Sequence, residues 1–348
     1  MVKKKPVYKP SSLESAFMGI DDILKKSHNG DTIDLNDLIE LLSLPVSSPD
    51  MYRVIAEANR LSRELSAGKA EVYAQFSVNL APCNYECQFC SFSYMNNIFS
   101  ESTELSPLEA VEKARQFESE GANAVFMMST AQFPFERYLE IAKEVRDKLR
   151  PQTTLIGNVG DQSLKNAQRL RDAGFSGVYH ALRLREGRDT NLMPEKRKES
   201  ILNFKEAGLE AGTCVEPVGP EHTNREIAEM IQFTAGFNPS HSGSARRIPI
   251  PGTEMAKRGM ISELGMAHIV AVTRIGMPRT VLGNCTHEFC TLGALAGANL
   301  FWAEAGANPR DIAQKTEEGR GETVDSCKTL FQESGWETLE GTSVFYNR

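Results

Sequence analysis

A chain of 348 residues, 41% apolar and 24% charged, is long enough for one large α/β barrel or two ordinary domains, and its balance is that of a soluble globular protein. Its formal net charge of −7 argues against a nucleic-acid partner, which calls for a basic face, and no stretch approaches the 18 apolar residues of a membrane span. Lys3, Lys4 and Lys5 lead into no apolar run, so no secretory leader is expected; seven cysteines, an odd count with three in one short loop, suit a reducing cytoplasm better than a disulfide framework.

Residues 1–70 read as a helical extension packed on the main domain. Ser12 to Lys26 and Asp34 to Leu44 carry apolar residues at helical spacing, interrupted by His28-Asn29-Gly30 and by the Pro45 to Pro49 segment. Val72, Ala74, Phe76, Val78 and Leu80 then alternate as a half-buried strand does. Directly after it stand Cys83, Cys87 and Cys90, at C-x3-C-x2-C spacing.

Beyond the cysteines the chain alternates regularly between two kinds of element. Ser106-Pro107-Leu108-Glu109 is a capping box with proline at the first helical position, opening a helix that ends at Gly121. Strands are predicted over 124–128, 153–159, 177–182, 212–218, 247–250, 280–282 and 299–303. Helices are predicted between them over 135–149, 163–173, 195–207, 224–233, 261–275 and 292–296, with a last one over 323–331. Apolar strands separated by helices mean a parallel sheet covered by helices, and eight strands are the number that closes a (β/α)8 barrel. A doubly wound sheet is the alternative, but no strand is followed by Gly-x-Gly-x-x-Gly. One catalytic barrel over residues 71–348 is therefore expected behind the 1–70 extension.

Three thiolates on a loop leaving a strand can hold three irons of a cubane cluster and leave the fourth open, as catalysis requires. The plainer alternatives are a zinc loop, for which no fourth ligand stands at finger-like distance, and three unrelated core cysteines. In a barrel, chemistry collects at the C-terminal strand ends. The residues expected there include Asn158, His180, Arg183, Arg185, Glu186, Cys214, Glu216, Arg246, Arg247 and the segment Asn284 to Cys290. Arg183, Arg185 and Glu186 suit a ligand carboxylate and hydroxyls. Cys214, Cys285 and Cys290, from two strand ends, form a candidate second cluster, with His287 a further ligand or an acid–base group.

The Cys83–Cys90 loop resembles that of the radical S-adenosylmethionine (SAM) enzymes. The resemblance implies a 4Fe–4S cluster whose open iron binds SAM, with Phe89 against the adenine, and reductive cleavage of SAM to a 5′-deoxyadenosyl radical. It implies, as partners, SAM and an electron donor such as ferredoxin or flavodoxin. It also admits a small-molecule or acyl-chain substrate, free or carried on a protein, and a paralogous partner enzyme. With the segments Ala296 to Phe301 and Gly319-Arg320-Gly321, the chain is similar to the biotin-synthase branch, which includes hydrogenase maturases, methylornithine synthase and archaeal two-protein lipoyl synthases. By strand order, Cys214 falls where biotin synthase has an auxiliary-cluster cysteine and Cys285 near its arginine ligand. Strands two and three offer Met127, Met128, Ile156 and Asn158 in place of that enzyme's other cluster cysteines. Two enzymatic readings stay open: sulfur insertion of the biotin- or lipoyl-synthase kind, and carbon-skeleton or metallocofactor chemistry without sulfur. An iron–sulfur scaffold is the non-enzymatic alternative.

Overall fold

The computed structural model describes residues 19–347. Lys3 to Lys5 and the first part of the Ser12–Lys26 helix lie outside them. Three helices open the described chain, α1 (Ile20–Asn29), α2 (Leu35–Leu42) and α3 (Pro49–Leu65). The proline that reads as an interruption is the first residue of α3, with Ser48 accepting from the Met51 N–H as its cap. Ile23, Leu38, Val54 and Ala58 bury their side chains in one cluster with Val270 and Ala271, on a helix of the barrel wall.

The barrel strands are β1 (Lys69–Ser77), β2 (Ala124–Met128), β3 (Thr154–Asn158), β4 (Gly177–Tyr179), β5 (Glu210–Gly212 and Val215–Val218), β6 (His241–Arg246), β7 (Gly283–Cys285) and β8 (Leu300–Ala305). Nine parallel segments run side by side, and the two outermost are the halves of β5, broken at Thr213 and Cys214. Hydrogen bonds leave both edges of β5: His180 N–H donates to Gly212 O (2.9 Å), Ser240 N–H to Ala211 O (2.9 Å), and Thr213 N–H to His241 O (3.1 Å). The sheet thus closes on itself as the expected eight-stranded barrel.

Helices α4 (Pro107–Ser119), α5 (Phe135–Lys148), α6 (Leu164–Asp172), α7 (Pro194–Glu206), α8 (Asn224–Gly236), α9 (Glu263–Gly276), α10 (Thr291–Leu295) and α11 (Val324–Glu333) cover the barrel. The predicted capping box is formed, Ser106 accepting from Glu109 N–H while Glu109 accepts from Ser106 N–H. Two strands lie elsewhere than expected. The sixth is His241–Arg246, not 247–250, because a buried strand of serines, a glycine and an alanine carries no apolar run; Ser244 instead bonds Thr273 of α9 at 2.7 Å. The seventh is Gly283–Cys285, just after the apolar 280–282.

Both faces of the strands are buried. Val72, Ala74 and Phe76 of β1 face the helices, whereas Tyr73 belongs to a separate inner cluster with Phe126, Cys214, Cys285 and Trp302. The inner layer is closed below by the last residues of the chain. Asn123 Nδ2 donates to the carbonyls of Leu339 and Gly341 (2.9 and 2.7 Å), and Val344 N–H donates to Glu71 (2.8 Å). Tyr346 donates to Val178 O (3.2 Å), and Phe345 and Tyr346 are 1% and 3% exposed. A Cβ added at Gly177, Gly212 or Gly283 would lie 2.8 Å or less from the Tyr346 or Phe345 side chain. The three missing side chains are the space these two rings fill.

Candidate active site

The cysteine loop leaves the top of β1 and is fixed by its own backbone. Cys83 N–H donates to Phe92 O (2.7 Å), Tyr94 N–H returns to Cys83 O (2.9 Å), and Asn96 Nδ2 donates to the carbonyls of Cys87 and Cys90. Neighbouring loops hold it from outside: Gln88 N–H donates to Asp189 O and Ser91 N–H to Pro309 O, each at 3.0 Å. All three thiols face one cavity at the barrel mouth, together with Phe89, Asn158, His180 and Arg183.

Burial pushes the thiols of Cys83, Cys87 and Cys90 up, that of Cys90 to about 11, with Arg183 opposing it. One guanidinium does not ionise three buried thiols. A cluster of positive metal ions does, and a set of three sulfur donors on one wall fits iron–sulfur ligation.

Arg183 is half-buried, which works against its charge, but Glu186 and Glu216 hold it protonated. Glu186 itself does not line the cavity; it accepts from the Arg183 N–H (3.1 Å) and from Thr190 (2.8 Å), and so supports Arg183. Arg185, at a left-handed φ of 56°, turns away, with its guanidinium on both oxygens of Glu226 at 2.6 and 2.9 Å. Of Arg183, Arg185 and Glu186, expected together at a ligand, only Arg183 lines the cavity. Asn158 donates to Gln75 (3.2 Å). His180 bonds Asp161 at 2.9 Å, and burial together with Arg197 pushes its pKa down to about 4, so the imidazole is neutral.

The cysteines of β5 and β7 meet. Cys214 and Cys285 Sγ are 3.8 Å apart, and His287 joins them, with all three ligand atoms within 4.8 Å of one another. The break in β5 falls at Cys214 and aims it inward. His287 is stacked on Trp302 (4.5 Å between centroids, 8° between planes) and bonded to the Tyr179 hydroxyl (3.2 Å). Burial and Arg310 push its pKa well down, and burial beside Cys285 pushes the Cys214 thiol well up. His287 and Glu216 line the cavity that holds the cysteine loop, whereas Cys214 and Cys285 do not. Cys290 stands apart from this trio. It caps α10, accepting from Gly293 N–H at 3.3 Å, and burial pushes its thiol up to about 12.

Gln75, Tyr179, Arg197, Trp302, Glu304 and Arg310 also line the chamber and were not anticipated. Gln75 and Glu304 carried a signal: a polar side chain inside a buried strand needs a polar interior.

This arrangement, a closed parallel barrel with three cysteines opening onto its mouth, resembles that of the radical SAM enzymes. Residues 82–234 match the family described as the radical SAM superfamily. The chain is similar to the biotin synthase of Nitrosopumilus maritimus (strain SCM1), 24% identical over 273 residues, covering 76% of this chain and 82% of the relative. It is similar also to that of Prochlorococcus marinus (strain MIT 9515), 26% identical over 259 residues, 70% and 74% covered. Among solved structures, the FeFe-hydrogenase maturase HydG from Carboxydothermus hydrogenoformans superposes with a TM-score of 0.77 at 16% identity, over 94% of this chain and 81% of that one. Methylornithine synthase (PylB) superposes with a TM-score of 0.76 at 17% identity, over 91% and 97%. The structural likenesses carry the fold alone.

Proposed function

We propose that this protein is a radical SAM enzyme that inserts sulfur at an unactivated C–H carbon, drawing it from a second iron–sulfur cluster inside the barrel. The observation that carries the reading is the convergence of Cys214, Cys285 and His287, the last of which lines the cavity that the cysteine loop also faces. Cys83, Cys87 and Cys90 hold the first cluster, and Phe89, Asn158, His180 and Arg183 form the SAM pocket. When bound, the first cluster supplies the electron that splits SAM and the second supplies sulfide.

The chain's own part is positioning and exclusion of water. Arg183 offers a guanidinium fork to the SAM carboxylate. Trp302 and Tyr179 hold the His287 ring in one plane beside the two thiols. The rings of Phe345 and Tyr346 pack in the inner cluster with Cys214 and Cys285. The similarity to biotin synthases supports sulfur chemistry; the likeness to HydG and PylB leaves metallocofactor and carbon-skeleton chemistry as the competing reading.

Iron and sulfide quantitation after anaerobic reconstitution decides between them. The Cys214→Ala/Cys285→Ala variant should hold about half the iron of the wild type, since each cluster needs its own thiolates, yet still release 5′-deoxyadenosine. Equal iron in the two proteins would remove the second cluster and give the lead to chemistry without sulfur.

A further inference from the structure

Among the described residues five guanidiniums line the chamber of the cysteine loop, those of Arg183, Arg197, Arg246, Arg247 and Arg310. Three are taken up by carboxylates: Arg197 stands 3.3 Å from Asp161, and Arg246 and Arg247 are ion-paired with Glu288 and Glu221. Arg183 and Arg310 are not. Each is 3.8 Å from its nearest carboxylate oxygen, on Glu186 and Glu288 respectively, which is beyond hydrogen-bond reach. Two forks are therefore open to ligands, and SAM brings one carboxylate.

The loop after β8 holds Arg310 between the cysteine loop and His287. On one side its segment is tied to the cysteine loop, Ser91 donating from Oγ to Asn308 O (3.2 Å) and from N–H to Pro309 O (3.0 Å). On the other, Arg310 Nη1 donates to His287 O (2.7 Å), while its own N–H is fixed on Asn308 Oδ1 (2.9 Å). The carboxylates around it are committed elsewhere. Glu304 accepts from Asn308 Nδ2 (2.8 Å) and from Arg320 (2.7 Å), and Glu288 is paired with Arg246. The Arg310 side chain is 18% exposed, and among the described residues nothing accepts from its Nε or Nη2. A guanidinium largely out of water and short of acceptors is costly unless a ligand supplies them.

With the chamber read as the site of sulfur insertion, on which this rests, we infer that Arg310 anchors a carboxylate of the substrate. The substrate is then a free small-molecule carboxylic acid, not an acyl group in amide linkage to a carrier. Arg183 takes the carboxylate of SAM, and the acid completes the second fork. Met128, Ile248, Ile250 and Trp302 line the same cavity and give the carbon chain of the acid an apolar wall. A phosphate suits the place less. It brings a second negative charge, and the next cations, Arg246 and Arg320, are already on Glu288 and Glu304.

The test is calorimetric titration of the reconstituted protein, saturated with SAM so that Arg183 is occupied. The probes are butanoate, hexanoate, octanoate and decanoate, their primary amides, and acetyl-(Nε-octanoyl)lysine amide as the carried form. At least one acid should bind about tenfold or more tightly than its amide, the loss expected when a charge-assisted contact becomes a neutral one. Arg310→Gln should erase that preference, and Arg310→Lys should keep part of it, since an ammonium retains the charge but not the fork. Iron content equal to the wild type certifies that Arg310→Gln is folded; if it fails this control, the partial loss in Arg310→Lys takes its place. Acids and amides that bind alike overturn the inference, as does a preference unchanged in Arg310→Gln. So do an octanoyl-lysine probe that binds as tightly as octanoate, and a wild type that binds no acid with a Kd of about 1 mM or tighter. The readout is binding and not sulfur transfer, so the Cys214→Ala/Cys285→Ala variant should show the same preference for acids. Loss of the sulfur reading and loss of the carboxylate site are thus separate results.

Discussion

At the scale of residues, each cysteine of the loop should be indispensable. Cys83→Ala, Cys87→Ala or Cys90→Ala removes one of three thiolates, and 5′-deoxyadenosine formation should fall to background in a reductive assay. Arg183 and Arg185 should separate cleanly. Arg183→Ala should weaken SAM binding by about 2 kcal/mol, some 30-fold in Kd, the scale of a desolvated charge-assisted contact. Arg185→Ala should leave SAM affinity unchanged in the same equilibrium titration, because its partner is Glu226. Sequence could not tell these two apart: they stand two residues apart in a polar loop, and only the left-handed turn at Arg185 sends their side chains different ways. Cys290 misleads for a related reason. Its polar neighbours set it near Cys285 in sequence, but the turn into α10 gives its sulfur to the Gly293 N–H.

At the scale of elements, the C-terminal segment is the part whose role is least legible in the sequence. Nothing in Phe345-Tyr346 marks it as the floor of the barrel, since the glycines it fills lie on three different strands. Tyr346→Ala should cost about 3 kcal/mol in urea denaturation, the range for emptying a buried aromatic site, whereas Tyr346→Phe, losing one hydrogen bond, should cost about 1 kcal/mol. Glu71 makes this floor sensitive to pH. Its carboxyl is buried, with one oxygen on the Val344 N–H and the other without a partner, and burial raises its pKa from 4.5 to about 7. The folded state therefore favours the protonated acid. The associated stability is complete below about pH 4.5 and is lost as pH rises to about 7, amounting to about 3 kcal/mol. Denaturation midpoints at pH 5 and pH 8 should differ accordingly, and Glu71→Gln should flatten that part of the profile. An unchanged profile in Glu71→Gln would assign the slope to other groups.

β1 teaches the same lesson in reverse. Its alternating Val72, Ala74 and Phe76 are readable in the sequence, and they are the face against the helices. The opposite face, which the alternation marks as exposed, carries Glu71, Tyr73 and Gln75 and is also buried, around a polar chamber. The position of β6 is hidden because its serines are buried by hydrogen bonds and small size, not by apolarity.

At the scale of the whole molecule, the order of strands and helices is legible because each element carries its own period and caps. Closure is legible only through the count of eight strands, since the strand that completes the ring is broken at Thr213 and Cys214. The first cysteine set is legible because its spacing is local. The second spans 71 residues, and only the closed ring brings Cys214 and Cys285 to 3.8 Å. The ring also explains why His287, rather than Cys290, completes that set: it is the residue that Trp302 of the neighbouring β8 holds toward the interior.

The central proposal is a second iron–sulfur site inside the barrel that carries the cysteine loop, and Mössbauer spectroscopy of protein reconstituted with ⁵⁷Fe tests it most directly. The wild type should show two cluster components of comparable area, of which SAM perturbs one. The Cys214→Ala/Cys285→Ala variant should lose the other and keep the SAM-responsive one. A single component in the wild type, unchanged in the variant, would contradict the account.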